Sequence, residues 1–218
     1  LPGLGLLLLL VPVQYAVGTR ILREGASRPG RMVALEMGGR NAAVVLDDAD
    51  LSKTIESFVG ATMINNGQIC WLNTRILAPK SRYGEILDTI TDVIGSMTVG
   101  NPLEDSTQVG PLVSSRQRDR VEGYIAKGIS DGARLTAGGK RSGDTGWFVQ
   151  PTVFADVDPK STIAQEEIFG PVLSVIPYTD EAQAVAIAND SEYGLGGTVW
   201  SSDPERGTAV ARRIQSGI

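Results

Sequence analysis

Cys70 is the single cysteine of the chain, in Asn65-Asn66-Gly67-Gln68-Ile69-Cys70. A thiol on a turn, with backbone N–H groups close by, is favoured as thiolate, the form that attacks a carbonyl carbon. Taken alone it has a second reading, a buried structural cysteine, the commoner fate of a lone thiol. Glu36 lies 34 positions upstream, in Leu35-Glu36-Met37-Gly38-Gly39. A carboxylate after a short apolar run and beside two glycines can reach a cleft as general base. It can equally be an exposed loop glutamate. A third segment, Gln165-Glu166-Glu167-Ile168-Phe169-Gly170-Pro171-Val172, sets two acids, an aromatic ring and a Gly-Pro turn in a row. Such a row can place a carboxylate on sugar hydroxyls and a ring beside a flat heterocycle. Its plainer reading is a turn leading into a strand.

Composition narrows the chemistry. The chain has no histidine, which excludes a Ser-His-Asp triad, a Cys-His pair and any His-based metal site within it. Base work then falls on a carboxylate, which is consistent with Glu36. One cysteine excludes an internal disulfide framework and fits a reducing compartment, so a cytoplasmic location is expected. The formal net charge is −5, and no basic run interleaved with aromatics is present. No nucleic-acid partner is therefore expected. Leu4 to Val13 is a nearly unbroken apolar run. It is too short to span a bilayer as a helix and lacks the basic region of a secretory signal. It is expected to be a buried strand, a disordered start or sequence foreign to the fold, with no membrane partner.

The elements that must position these residues alternate. Helices are expected over 17–28, from Asp50 to about Ile64, and over 81–97, 114–132, 180–189 and 204–215. Strands are expected over 32–36, where Glu36 ends the run, and over 41–46, 73–78, 133–137, 147–154, 171–178 and 197–201. Cys70 falls in a loop between a helix and a strand. Strands alternating with helices imply an α/β fold with a largely parallel sheet.

Together the three segments resemble the aldehyde dehydrogenase superfamily. Leu35-Glu36-Met37-Gly38-Gly39-Arg40-Asn41 is similar to that family's glutamate motif, and Asn65 to Cys70 to its cysteine motif at the family's separation. Glu166 to Val172 is similar to its cofactor-clamping motif. Val99-Gly100-Asn101-Pro102, Gly110-Pro111-Leu112 and Trp147-Phe148-Val149-Gln150-Pro151-Thr152 are further family-like segments. The resemblance runs from about Val17 to Ile218. It implies an NAD- or NADP-dependent oxidation of a small-molecule aldehyde. In that scheme Cys70 forms a thiohemiacetal and then a thioester, and Glu36 activates the hydrolytic water. Glu167 would bind the nicotinamide ribose, and Phe169 would pack beside the nicotinamide end. Gly38 and Gly39 would let backbone approach the cofactor, while Asn65 and Gln68 support the cysteine loop. Ile69 and Trp71 flank the thiol and suggest an apolar channel.

The resemblance also implies an aldehyde dehydrogenase-like catalytic domain incomplete at both ends. Residues 1–16 are an atypical apolar segment, 17–36 the remnant of the end of a dinucleotide-binding domain, and 37–218 the catalytic domain. Val13-Gln14-Tyr15 stands where the family has Gly-Ser-Thr. The full-length family forms homo-oligomers. Two alternatives stay open: an inactive remnant or interaction module that keeps the fold, and a thiol-only activity such as ester hydrolysis.

Overall fold

The structure is a computed structural model and describes residues 15–27, 30 and 32–217. The apolar run Leu4–Val13 and the expected helix stop at Arg28-Pro29 lie outside the described residues.

Among the described residues six strands form one sheet: β1 Ala42–Val45, β2 Arg75–Pro79, β3 Arg134–Ala137, β4 Thr152–Ala155, β5 Val172–Tyr178 and β6 Gly197–Trp200. Their order is β3-β4-β5-β2-β1-β6. β4, β5, β2, β1 and β6 run parallel, and β3 joins the edge antiparallel to β4. β1, β2 and β4 are buried along their whole length, as parallel strands covered on both faces must be. Successive side chains feed opposite faces. In β1, Ala42 and Val44 enter one core with Leu46, whereas Ala43 and Val45 enter the other.

The helices are α1 Tyr15–Ala26, α2 Leu51–Thr62, α3 Tyr83–Gly95, α4 Ser115–Ser130, α5 Thr162–Gln165, α6 Glu181–Asn189 and α7 Pro204–Ala211. Phe58 of α2 and Ile86, Leu87, Ile90 and Ile94 of α3 fill one core. Val121 and Ile125 of α4, Ile163 of α5, Ala184 of α6 and Val210 of α7 fill the other. α4 begins at Ser114, whose hydroxyl accepts the Gln117 N–H at 3.2 Å, as a Ser N-cap should.

Four boundaries differ from expectation. Met32–Glu36 is not a strand; only Glu36 makes a bridge there. Met32 is 72% exposed. A Cβ on Gly25 would touch Val33, and one on Gly18 would touch Leu35 and Met37. This apolar segment therefore packs on α1 rather than in the sheet. Residues 147–151 hold only an isolated bridge between Arg141 and Val149 before β4. The short α5 was not anticipated, and α7 stops at Ala211.

Because the central strands are parallel, the segments entering them meet along one edge of the sheet. Gly38–Asn41 enters β1, Cys70–Thr74 enters β2, Glu167–Pro171 enters β5 and Tyr193–Gly196 enters β6.

Candidate active site

The loop that carries the thiol is shaped by residues tolerant of left-handed backbone. After α2, Ile64–Gly67 makes a 3-10 turn in which Asn65 and Asn66 have φ of 51° and 58°. Asparagine accepts this region better than most residues. Gly67 follows at φ 73°, so close to the chain opposite that a Cβ would meet the Gly170 carbonyl oxygen at 2.1 Å. The turn is pinned by side chains. Asn66 donates to the Pro111 carbonyl at 3.0 Å and accepts the Gly110 N–H at 2.7 Å. Asn65 Nδ2 donates to the Gln68 carbonyl at 3.2 Å, and Gln68 accepts the Val113 N–H at 3.0 Å. The supporting role expected of Asn65 and Gln68 has these bonds as its basis. Asn66 was not singled out, although its place between Asn65 and Gly67 marked the turn.

Cys70 itself is half-buried. Its carbonyl accepts the Asn41 Nδ2–H at 2.8 Å. A Cβ on Gly39 would lie 2.3 Å from that carbonyl oxygen, so glycine is what lets the glutamate segment pass under the thiol loop. Gly38 does the same for a different neighbour. At φ 84°, its Cβ would meet the Glu167 carboxylate at 2.8 Å, and the Gly39 N–H donates to that carboxylate at 2.9 Å. The glycine pair thus joins Cys70 on one side to Glu167 on the other.

Burial raises the Glu167 carboxyl above the usual range, opposed by the Gly39 N–H and by Arg120 and Arg40. Its partner in sequence, Glu166, turns outward and accepts the Tyr124 hydroxyl at 2.7 Å. Phe169 sits at φ 60°, a left-handed conformation that costs a non-glycine residue roughly 1–3 kcal/mol. α4 holds the strained segment: Gln117 Nε2 donates to the carbonyls of Ile168 at 3.2 Å and Phe169 at 2.7 Å. Arg120 donates to the Glu167 carbonyl at 2.7 Å and stacks on Tyr124.

Glu36 is exposed. With Leu35, Met37, Gly38, Glu192, Tyr193, Gly194 and Leu195 it lines a cleft of ≈ 290 Å³. Cys70 does not line this cleft. The structure therefore brings Cys70, Gly38, Gly39 and Glu167 into one contact group. Glu36 stands on the cleft wall two residues from Gly38. Phe169 enters the group through its backbone neighbours.

Two buried arginines near the site were not singled out. Arg40 and Arg75 are each 1% exposed. Arg40 donates to Thr74 Oγ1, to the Ile163 carbonyl and to Ser174 Oγ. Arg75 donates to the Arg40 carbonyl at 2.8 Å and to the Ile187 and Ala188 carbonyls at 3.2 and 2.9 Å. Those last two close α6, whose C-terminus carries partial negative charge. Burial lowers Arg40 to about 9, helped by the nearby Arg75 charge, and lowers Arg75 to about 10. An arginine directly before or one residue ahead of each buried apolar run was the available signal. Among the described residues, no group of three metal-type side chains is placed to hold an ion, and no helix is long and apolar enough to cross a membrane.

The sequence pattern of the aldehyde dehydrogenase family matches residues 14–218. The chain belongs to the aldehyde dehydrogenase family. It is 52% identical over 198 residues to the geranial dehydrogenase of Castellaniella defragrans, covering 91% of this chain and 41% of that protein. A solved Mycobacterium tuberculosis aldehyde dehydrogenase complexed with NAD+ superposes with a TM-score of 0.91 at 50% identity, covering 95% of this chain and 43% of that one. The NAD+ complex of the Bacillus cereus aldehyde dehydrogenase gives 0.87 at 37% identity, covering 94% and 41%. The chain thus spans about two-fifths of the length of these aldehyde dehydrogenases. Over that share the α/β fold with its largely parallel sheet is the fold of the family.

Proposed function

We propose that this chain carries the thiol chemistry of an NAD- or NADP-dependent aldehyde oxidation. The observation that carries the reading is the convergence on Gly38-Gly39, two and three residues from Glu36, where the Glu167 carboxylate closes on both glycines and the Cys70 carbonyl on Gly39. Residues 37–218 are taken as catalytic, and α1 with the segment to Glu36 as the end of a cofactor-binding region.

The Cys70 thiolate adds to the aldehyde carbon and makes a thiohemiacetal, with the Cys70 backbone N–H helping to hold the oxyanion. A bound nicotinamide would supply the acceptor for the hydride that leaves the former aldehyde carbon. That two-electron loss leaves a thioester on Cys70. Glu36 then takes a proton from water, the hydroxide adds to the thioester carbon, and the carboxylic acid leaves as the thiolate is restored. The residues fit such a cofactor. Gly38 lacks the Cβ that would cover the Glu167 carboxylate, so that carboxylate would be available to hold ribose hydroxyls, and Phe169 would pack beside the nicotinamide end. Ile69 and Trp71 flank the thiol and favour an apolar aldehyde. The name of the Castellaniella defragrans relative points to the same substrate class. A cytoplasmic location and assembly with further copies of the chain belong to the same proposal.

The test is aldehyde-dependent formation of reduced nicotinamide, followed by its near-ultraviolet absorbance. Cys70→Ser should remove ~10³-fold of the rate or more, and Glu36→Gln about 10²-fold. A folded chain that reduces no cofactor with any apolar aldehyde would instead support the non-catalytic reading. Undiminished turnover in Cys70→Ser would remove the thiol mechanism.

A further inference from the structure

We propose that Asn41 is the positioning residue that locks the thiol loop to the cleft wall, a role that rests on the reading of Cys70 as nucleophile. Asn41 is 3% exposed and its carboxamide is engaged at both ends. Nδ2 donates to the Cys70 carbonyl at 2.8 Å and to the Leu72 carbonyl at 3.0 Å. Oδ1 accepts the Gly196 N–H at 2.9 Å. Its main-chain carbonyl accepts the Arg75 N–H at 3.1 Å. One side chain therefore spans the entries to three strands: β1 through its own backbone, β2 through Cys70 and Leu72, and β6 through Gly196. Gly196 continues the Glu192–Leu195 segment that lines the cleft with Glu36.

The geometry leaves little room for another residue type. A Cβ on Gly39 would strike both the Asn41 carboxamide, at 2.8 Å, and the Cys70 carbonyl, so Gly39 is what admits the bridge. Aspartate would turn acceptors toward two carbonyl oxygens. Serine reaches one side only. Glutamine is one methylene too long for a fully buried slot. The cleft that holds Glu36 and the loop that holds Cys70 are separate features, and this carboxamide bonds the thiol loop to Gly196, the residue that follows the cleft-lining segment. Losing it lets the thiol shift relative to the base, and displacements near 1 Å cost about 10²-fold in well-oriented reactions.

Because Cys70 is the only cysteine, its alkylation by iodoacetamide reports the loop directly, with no cofactor or aldehyde present. Asn41→Ala and Asn41→Ser are compared with Asn73→Ala. Asn73 is equally buried in the same strand-entry segment, and its Nδ2 donates to the Ala61 carbonyl at 3.3 Å. The Asn41 variants should change the alkylation rate by about tenfold or more and strip the Gly196 amide of its protection from hydrogen exchange. Asn73→Ala should lower the melting temperature yet leave the alkylation rate within about twofold. Should Asn41→Ala not fold, Asn41→Ser decides by the same criterion. Unchanged alkylation in a folded Asn41 variant overturns the proposal, as does an equal change in Asn73→Ala. An Asn41 effect in a chain that oxidises no aldehyde would uphold the positioning role while removing the proposed function.

Discussion

The two edges of the sheet are built by opposite rules. At the carboxyl ends of the strands, side chains close the molecule. Asp48 accepts the Ser201 hydroxyl at 2.7 Å and the Ser202 and Asp203 N–H groups at 3.0 and 3.1 Å. Arg206 ties Asp47, Asp48 and Glu181 together, and Arg82 donates to the Asp47 and Ala49 carbonyls. At the amino ends, backbone approaches backbone, glycine is required, and three non-glycine residues hold positive φ: Asn65, Asn66 and Phe169. Open parallel sheets ordinarily bind ligands beyond their carboxyl ends. Here that edge is sealed by ion pairs, and the strained amino edge carries the thiol and the carboxylates. One further non-glycine residue with positive φ among those described, Asp156 at 55°, follows β4 on the carboxyl edge, so the amino edge holds the larger share of the strain, not all of it.

The sharpest way to break this comparison is to add a methyl group to each edge. Gly67→Ala or Gly39→Ala drives a Cβ to 2.1 or 2.3 Å from a backbone oxygen and should destabilise by about 3 kcal/mol or more. Gly207→Ala, in α7 beside Ser201, meets only an ordinary contact at 3.4 Å and should stabilise by about 0.5–1 kcal/mol. Urea titrations of the three variants check this, and equal effects at both edges would erase the distinction.

A smaller loss is expected from Arg206→Ala. It leaves three carboxylates facing one another and should cost about 1–2 kcal/mol, with the difference shrinking in high salt. A salt-independent loss would assign the effect to packing instead.

The smallest effect separates the edges by pH. Burial pushes the Asp48 carboxyl up, but hydrogen bonds from Ser201 and Asp203 and the Arg206 charge hold it below the usual range. Its stabilisation is present above the unfolded pKa and is lost as pH falls through the folded one. Glu167 is raised by burial, so its sign is opposite. The folded state binds the proton first, and stability is gained as pH falls through the folded pKa. Glu167→Gln should therefore raise the melting temperature at neutral pH by ~2 °C and lose that advantage in acid. Asp48→Asn should lower it at neutral pH and converge on wild type in acid. Melting curves at several pH values that move together would contradict the assignment.

Legibility followed distance along the chain. Cys70, Glu167 and the Gly38-Gly39 pair could be read because each sits in a short segment whose glycines and turn residues announce a sharp bend. Asn41 could be read only as part of such a segment, because its role depends on Gly196, 155 positions away. Arg40 and Arg75 look like ordinary surface charges until the sheet buries them against carbonyls 112 to 123 positions distant. Gln117 serves Phe169 from 52 positions away. Met32–Glu36 was misread because an apolar run that lies on a helix has the composition of one that pairs in a sheet. β3 was found as a strand, but its antiparallel pairing depends on the connection from α4, which no local pattern encodes.

The most direct measurement follows the acyl group. The chain is mixed with a nitrophenyl ester, which needs no cofactor, and the Cys70 peptide is weighed by mass spectrometry as nitrophenol is released. Wild type should turn over, Cys70→Ser should release no burst, and Glu36→Gln should release one equivalent and retain the acyl group on Cys70. An acyl group found on another residue, or Glu36→Gln deacylating as fast as wild type, would contradict the account of a thiol nucleophile and its carboxylate base at the amino edge of the sheet.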